Sequence, residues 1–205
     1  MLQATFTELV ERYTNNHQQC VALWQEITAH YQHRKRHYHT LQHLSNLLAQ
    51  LQSVKEQLAD WDSILFALYY HDIIYNVIRK DNEEKSAVFA AKRMRAISVP
   101  ANIIDSCTVK IAATKHHAPG PDGDCNYFTD ADLSILGQAW PVYTDYCKSI
   151  RKEYAVYPDI MYNPGRKKVL QHFLQMDRIF KTTWFFERFE RQAKQNLQRE
   201  LEELL

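Results

Sequence analysis

The feature that most constrains this 205-residue chain is its near lack of glycine. It has four glycines, and the first 119 residues contain none, whereas average usage is about 7 %. A Walker-type phosphate loop and a Rossmann fingerprint each need several glycines at close, fixed spacing. Hairpin-rich β folds also depend on glycine turns. The sequence therefore excludes both nucleotide-binding loops and argues against an all-β fold.

Composition and charge indicate a soluble globular protein. Hydrophobic residues make up 45 % of the chain and charged residues 24 %, with a formal net charge of +1. A balance so close to zero argues against a nucleic acid polymer as a partner. The longest apolar run, 64–70, is far shorter than the ~20 residues that span a bilayer, so no membrane association is expected.

The cysteines and the amino terminus predict a cytoplasmic location. The four cysteines form no CxxC pair, which is typical of reduced thiols in a cytosolic protein of this size. The first residues lack the basic and apolar regions of a signal peptide.

Helical periodicity recurs along the chain. Leu23, Ile27 and Tyr31 are spaced four residues apart, and the run 63–75 is apolar on nearly every face, which predicts a central buried helix. The glycine- and proline-containing stretch 116–127 predicts a long loop. The pattern as a whole predicts an all-α domain of eight to ten helices over 1–205.

Helix boundaries can be placed from capping signals. Asp81 or Asn82 suits the N-cap of a helix that extends to about Ile97. Pro100 suits the start of the next helix, which extends to about Thr114. Later helices are expected from about Asp130, around 143–154, at 166–175 and at 184–205, with a break at 157–165.

Two segments carry residue types that bind metals. In RHYHTLQH, His39 and His43 are four residues apart, so on a helix both imidazoles lie on one face. The doublet His71-Asp72 closes the buried apolar run. A charged aspartate there is costly without a partner, and a cation would supply one.

A third segment, TDADLS, adds Asp130 and Asp132 soon after the predicted loop. Two histidines with two carboxylates suit zinc, manganese, iron or cobalt better than magnesium alone. Taken singly, each segment is also compatible with a structural role, since a first-turn aspartate often only caps its helix.

The three segments together resemble the HD superfamily of metal-dependent phosphohydrolases. YHxxxH at 38–43, HD at 71–72 and ADLS at 131–134 are similar to the pattern of cyclic-nucleotide phosphodiesterases, a distant branch. Between about 31 and 200 the chain resembles a little-characterised group of predicted HD phosphohydrolases. The recurring segments are RHYHTLQH, HDIIYN, DNEEKSA, DADLSILG, IRKEY, GRKKVL and NLQRE. The chain is much shorter than a phosphodiesterase catalytic domain, so a cyclic-nucleotide pocket is not implied.

The resemblance implies an HD-type helical bundle and a ligand set. His43, His71, Asp72 and Asp132 would bind a divalent ion (manganese, zinc, iron, cobalt or nickel, or else magnesium). His39 would be the general acid. Asp130 competes with Asp132 as the last ligand, and His116 is a candidate for a second metal.

Further residues are candidates for contact with substrate. Glu84 could support the site or activate water, although first-turn helix electrostatics explains it equally well. Arg36, Lys115, Arg151 and Arg166 are candidate phosphate clamps, with surface ion pairs as the alternative. Tyr75, three residues after Asp72, is expected to line the pocket or the core.

The sequence thus predicts a phosphohydrolase in which metal-activated water attacks a phosphate ester or anhydride of a small molecule, a nucleotide in particular. The alternatives are a di-iron oxygenase of the HD type and a non-catalytic, metal-stabilised binding or regulatory module. The amphipathic segment 191–205 predicts either a helix that pairs in a homodimer or one that covers the bundle.

Overall fold

The computed structural model describes residues 1–120 and 122–204, and this part of the chain is helical, with no strand. It contains ten α-helices and two short 3-10 helices, which confirms the all-α prediction. The α-helices are α1 Leu2–Glu11, α2 His17–Tyr31, α3 Leu41–Ser53, α4 Trp61–Tyr70, α5 Asn82–Ala96, α6 Ala101–Ala113, α7 Gly123–Leu133, α8 Trp140–Glu153, α9 Asp159–Gln175 and α10 Thr183–Glu203.

The helices group into two compact units, Met1–Thr129 and Asp130–Leu205. The division falls within α7. That the chain forms a single domain over 1–205 stays a prediction.

The first unit is built around α4. Residues 63–70 of this helix are all buried, and α4 contacts α1, α3, α5 and α6. A helix that is apolar on every face needs neighbours on every side to cover it. The chain leaves α4 at Tyr70 with His71 as the C-cap, so the HD doublet stands at the end of the most buried helix, as the apolar run predicts.

The predicted loop at 116–127 is too long, because α7 begins at Gly123. The Asp122 carboxylate accepts a hydrogen bond from the backbone N–H of Cys125 at 2.7 Å, the geometry of a side-chain N-cap. Pro121 lies outside the described residues. Asp122 and Gly123, which the sequence assigns to a loop, therefore form the start of α7.

The second unit contains α8, α9, α10 and the 3-10 helix Ser134–Gly137. The Glu190 carboxylate accepts hydrogen bonds from the backbone N–H groups of Ile179 and Phe180. Arg166 on α9 forms a buried ion pair with Glu200 on α10, at 2.7 Å. These contacts fix the connection into α10 and hold α9 against it.

The break predicted at 157–165 is wrong, because α9 begins at Asp159 and continues through Pro164 and Gly165. Proline removes one helical hydrogen bond, but contacts from outside the helix hold its first turns. The Arg151 guanidinium lies 4.7 Å from the centre of the Tyr162 ring. Tertiary packing here outweighs the local signal.

The last helix, predicted for 184–205, ends at Glu203, and Leu205 lies outside the described residues. Among the helices of the described ranges, none combines the length and apolarity that crossing a bilayer requires.

Candidate metal centre

His71 is fixed by the end of α4. Its side chain is 1 % exposed, and Nδ1 lies 3.0 Å from the carbonyl oxygen of Leu68. Because a carbonyl only accepts, Nδ1 must carry the proton and donate it. In the neutral ring the lone pair is then on Nε2, which is the state that a metal ligand needs.

His43 meets His71 from the neighbouring helix. It is the third residue of α3, which begins after Thr40 and buries a stripe of leucines from Leu44 to Leu51. The helices α3 and α4 are in contact, and Nε2 of His43 lies 3.1 Å from Nε2 of His71. Both rings are buried.

Asp72 supplies a carboxylate to the same place. Its Oδ2 atom lies 3.0 Å from Nε2 of His71 and 3.8 Å from Nε2 of His43. Burial raises the pKa of the Asp72 carboxyl. When the imidazoles are protonated, the charges of His71, His39 and His43 and a hydrogen bond from His71 outweigh that effect and hold the pKa well below its usual value. Asp72 is therefore an anion held among imidazoles.

His39 reaches the cluster from outside α3, contrary to the prediction that it shares a helix face with His43. Thr40 is the N-cap of α3, and its hydroxyl oxygen accepts from the N–H of Gln42, so His39 precedes the helix. Its Nε2 lies 3.8 Å from Oδ2 of Asp72. Its ring lies against that of Tyr75, with centroids 4.2 Å apart.

The donor set fits a cation. Two ring nitrogens at 3.1 Å and a carboxylate oxygen at 3.0 Å bring lone pairs together in a buried place, which is unfavourable unless a proton or a metal ion lies among them. Imidazole nitrogen with carboxylate oxygen suits zinc and the other transition metals. His43 and His71 are both among the residues whose ring nitrogens could hold a metal ion.

The two aspartates of TDADLS differ in their surroundings. Asp130 is fully buried, and its carboxylate accepts hydrogen bonds from the backbone N–H groups of Lys181 and Thr182 and from the Thr182 hydroxyl. Asp132 is half-buried. Both oxygens of Asp130 are thus engaged inside the second unit, where they hold the approach to α10.

The guanidinium of Arg36 points into the protein and not into solvent. Its side chain is buried, and it donates to the carbonyl oxygens of His39 at 3.2 Å and Ile73 at 3.0 Å. Its role as a phosphate clamp stays a prediction, but the structure directs its donors to the backbone. The Tyr75 ring lies beside that of His39, and its place in a substrate pocket stays a prediction.

Glu84 and Lys115 form an ion pair with each other near the surface. The hydrogen bond from Lys115 lowers the pKa of the Glu84 carboxyl, and the ammonium also donates to the carbonyl oxygen of Lys80 at 2.9 Å. This is the ion pair that the sequence left open as the alternative for Lys115. Their proposed roles toward substrate stay predictions.

Arg151 and His116 lie in different settings. Arg151 donates to the Asp159 carboxylate and to the carbonyl oxygens of Tyr154 and Tyr157, so it closes the turn from α8 to α9. His116 is exposed in the turn after α6. Phosphate binding by Arg151 stays a prediction, and so does a second metal site at His116.

Sequence reasoning missed three residues that shape the cluster. The Leu68 carbonyl orients His71, the Tyr38 ring lies 5.0 Å from the rings of both His39 and His43, and the Phe128 ring meets that of His71 edge-on at 5.8 Å. Only Tyr38 had a signal, its place in RHYHTLQH.

Comparison of the chain with family models, with curated proteins and with solved structures gave no match. Its function has therefore to be argued from the cluster itself.

Proposed function

We propose that the chain is a metal-dependent phosphohydrolase of the HD type that acts on small phosphorylated molecules. The observation that supports this most strongly is the convergence of three histidines on the Asp72 carboxylate, with all three Nε2 atoms within 3.8 Å of one oxygen. The ordered segments YHxxxH, HD and ADLS, which resemble the HD superfamily, add support.

The proposed ligands are His43, His71, Asp72 and Asp132. The first three contribute the atoms whose distances are given above, and Asp132 is included because ADLS at 131–134 resembles the HD superfamily. Asp130 is not proposed, because its oxygens are engaged elsewhere.

A bound divalent ion would lower the pKa of a water molecule to give the nucleophile, and it would offset the charge of the phosphate. The protein would keep the ligand atoms converged, with His71 oriented through its Nδ1 hydrogen bond to Leu68.

His39 is proposed as the general acid that protonates the leaving oxygen at Nε2. It is the most exposed of the three histidines, at 17 % against 4 % for His43 and 1 % for His71, so it is the one that a substrate can reach. When protonated it has a counter-charge in Asp72 at 3.8 Å. Tyr75 keeps its ring in place. These properties are those of a general acid rather than a ligand.

The substrate is proposed to be a nucleotide or another small phosphate ester or anhydride. No glycine-rich loop is available before residue 120 to bind phosphate through backbone N–H groups, so side chains and the ion must hold it. Two exposed cationic residues, Arg34 and Lys35, lie shortly before His39 in the sequence. Cationic side chains next to the acid favour an anionic substrate.

The proposal is tested by metal analysis and a substrate screen on the purified full chain. Phosphomonoesters, phosphodiesters and nucleoside phosphates are each tested with manganese, cobalt, nickel and magnesium. We expect turnover that depends on metal and is lost in His39→Ala but kept in His17→Ala, a matched change of an exposed histidine on α2. Two irons per chain with oxygen consumption would favour the oxygenase instead, and bound metal without turnover would favour the non-catalytic module.

A further inference from the structure

Arg36 connects the two segments that carry the ligands. Its Nη1 donates to the carbonyl oxygen of His39, just before α3, and its Nη2 donates to that of Ile73, just after the HD doublet. The residues that it joins are 34 positions apart in the sequence. One guanidinium thus sets the separation between the backbone at His39 and the backbone beside Asp72.

The guanidinium is also held between aromatic rings. Its central carbon lies 4.7 Å from the centre of the Tyr31 ring and 5.4 Å from that of Tyr75. Tyr75 in turn lies against the ring of His39. Arg36 therefore influences His39 in two ways, through its backbone carbonyl and through the ring on which its imidazole rests.

A buried cation is tolerated when hydrogen bonds and aromatic faces replace its hydration. The planar fork of arginine can reach two carbonyl oxygens while stacking on rings, whereas the compact ammonium of lysine cannot do both. The contacts thus require arginine specifically, and they direct it to the protein backbone rather than to a phosphate.

We propose that Arg36 is a positioning residue of the metal centre, which holds His39 at its working distance from Asp72. The inference deepens the proposed function and rests on it for its consequence in catalysis. The geometric part of the inference, that Arg36 joins the two segments, can be measured without metal or substrate.

The test compares Arg36→Met and Arg36→Lys with the wild type and with Arg93→Lys, a control that alters another paired arginine of the first unit, whose partner is Glu26. The metal-free readout is hydrogen–deuterium exchange over 37–43 and 71–76. The metal readout is titration with Co²⁺, followed through its visible absorption. Arg36→Lys keeps a charge, so it remains informative if Arg36→Met fails to fold.

We expect faster exchange in both segments for the Arg36 variants but not for Arg93→Lys. We also expect Co²⁺ affinity lower by about 10-fold or more, with an altered spectrum. If substrate is turned over, kcat should fall with KM nearly unchanged, since the residue does not contact phosphate.

Unchanged exchange in both segments, or a rise in KM alone, would overturn the inference and return Arg36 to the role of a phosphate clamp. A wild-type chain that binds no Co²⁺ would overturn the proposed function, while the exchange result would still decide whether Arg36 joins the segments.

Discussion

His71 and Asp72 are consecutive in the chain, yet Nε2 of the first lies 3.0 Å from Oδ2 of the second. The arrangement arises because His71 is the C-cap of α4 and Asp72 lies in the turn that follows. The carboxylate can then fold back toward the imidazole.

Replacing Asp72 with asparagine should greatly weaken metal binding. The change removes the anionic ligand but keeps the shape of the side chain, so the fold should remain. We expect affinity for Co²⁺ or Zn²⁺ to fall by at least about 10-fold, the scale found for changes around metal sites, as measured by calorimetric titration. Asp81→Asn, which changes an exposed aspartate paired with Lys85, should bind like the wild type. Equal affinity in Asp72→Asn would remove Asp72 from the ligand set.

Replacing His39 with alanine should separate acid catalysis from metal binding. Because His39 is assigned to the leaving group, we expect the variant to keep its metal while kcat falls by about 10²- to 10⁴-fold. The measurement is metal content beside steady-state kinetics on the substrate found in the screen. Loss of the metal together with activity would show that His39 is a ligand and that the acid lies elsewhere.

Asparagine substitutions of Asp130 and of Asp132 should affect different properties of the protein. Asp130→Asn weakens several hydrogen bonds to a buried carboxylate, and we expect it to lower the free energy of unfolding by about 2–3 kcal/mol. Asp132→Asn should change stability little and lower metal affinity. Urea unfolding and metal titration on both variants decide the matter. If Asp130→Asn alone lost the metal, the choice of Asp132 would be wrong.

The buried pair of Arg166 and Glu200 should make stability depend on pH. Burial raises the pKa of Glu200. The hydrogen bonds and charge of Arg166, with hydrogen bonds from Tyr143 and Cys147, lower the pKa by more than burial raises it, so the net shift is downward. In the unfolded chain the pKa of a glutamate is about 4.3. Because the folded-state pKa of Glu200 is lower, the ion pair adds stability that is fully present above the unfolded-chain pKa. That stability is lost as pH falls through the folded-state pKa.

We therefore expect Glu200→Gln to be less stable than the wild type at pH 7 and to lose less stability on acidification. Urea unfolding at intervals from pH 7 to pH 3 measures both. Glu203→Gln, at an exposed ion pair with Arg199, is the matched control. Parallel curves for Glu200→Gln and the wild type would contradict the assignment.

Helix α4, which positions His71 and Asp72, could be predicted from the sequence because a long apolar run indicates a buried helix whatever surrounds it. The run 63–75 is apolar on every side, and α4 occupies its first part, with the HD doublet at its end. The start of α3 was missed, although Thr40 is a favoured N-cap residue and directly precedes an apolar stripe. The spacing of His39 and His43 predicts that both lie on α3, whereas Thr40 as the N-cap shows that His39 precedes the helix.

The starts of α7 and α9 were missed for different reasons. Gly123 and Pro164 are turn residues by composition, but both lie within helices. Asp122 caps the first, and the contact of Arg151 with Tyr162 holds the second. The first is a local capping signal that the sequence analysis overlooked, whereas the second joins two helices and is revealed only by the fold.

The direction of a long side chain is equally hidden from a sequence. Arg36, next to His37 and near His39, reads as a phosphate clamp, yet its guanidinium turns inward to two carbonyl oxygens. Asp130 likewise reads as a ligand until its backbone partners are seen.

The most direct test of the proposed metal centre compares the metal content of the purified chain with that of the double variant His43→Ala/His71→Ala. Both are exposed to manganese, iron, cobalt, nickel and zinc in turn, freed of unbound ion and analysed by mass spectrometry for metal per chain. We expect at least about one equivalent of a transition metal on the wild type and little on the variant. A wild type that retains no metal, or a variant that retains as much, would contradict the proposed metal centre.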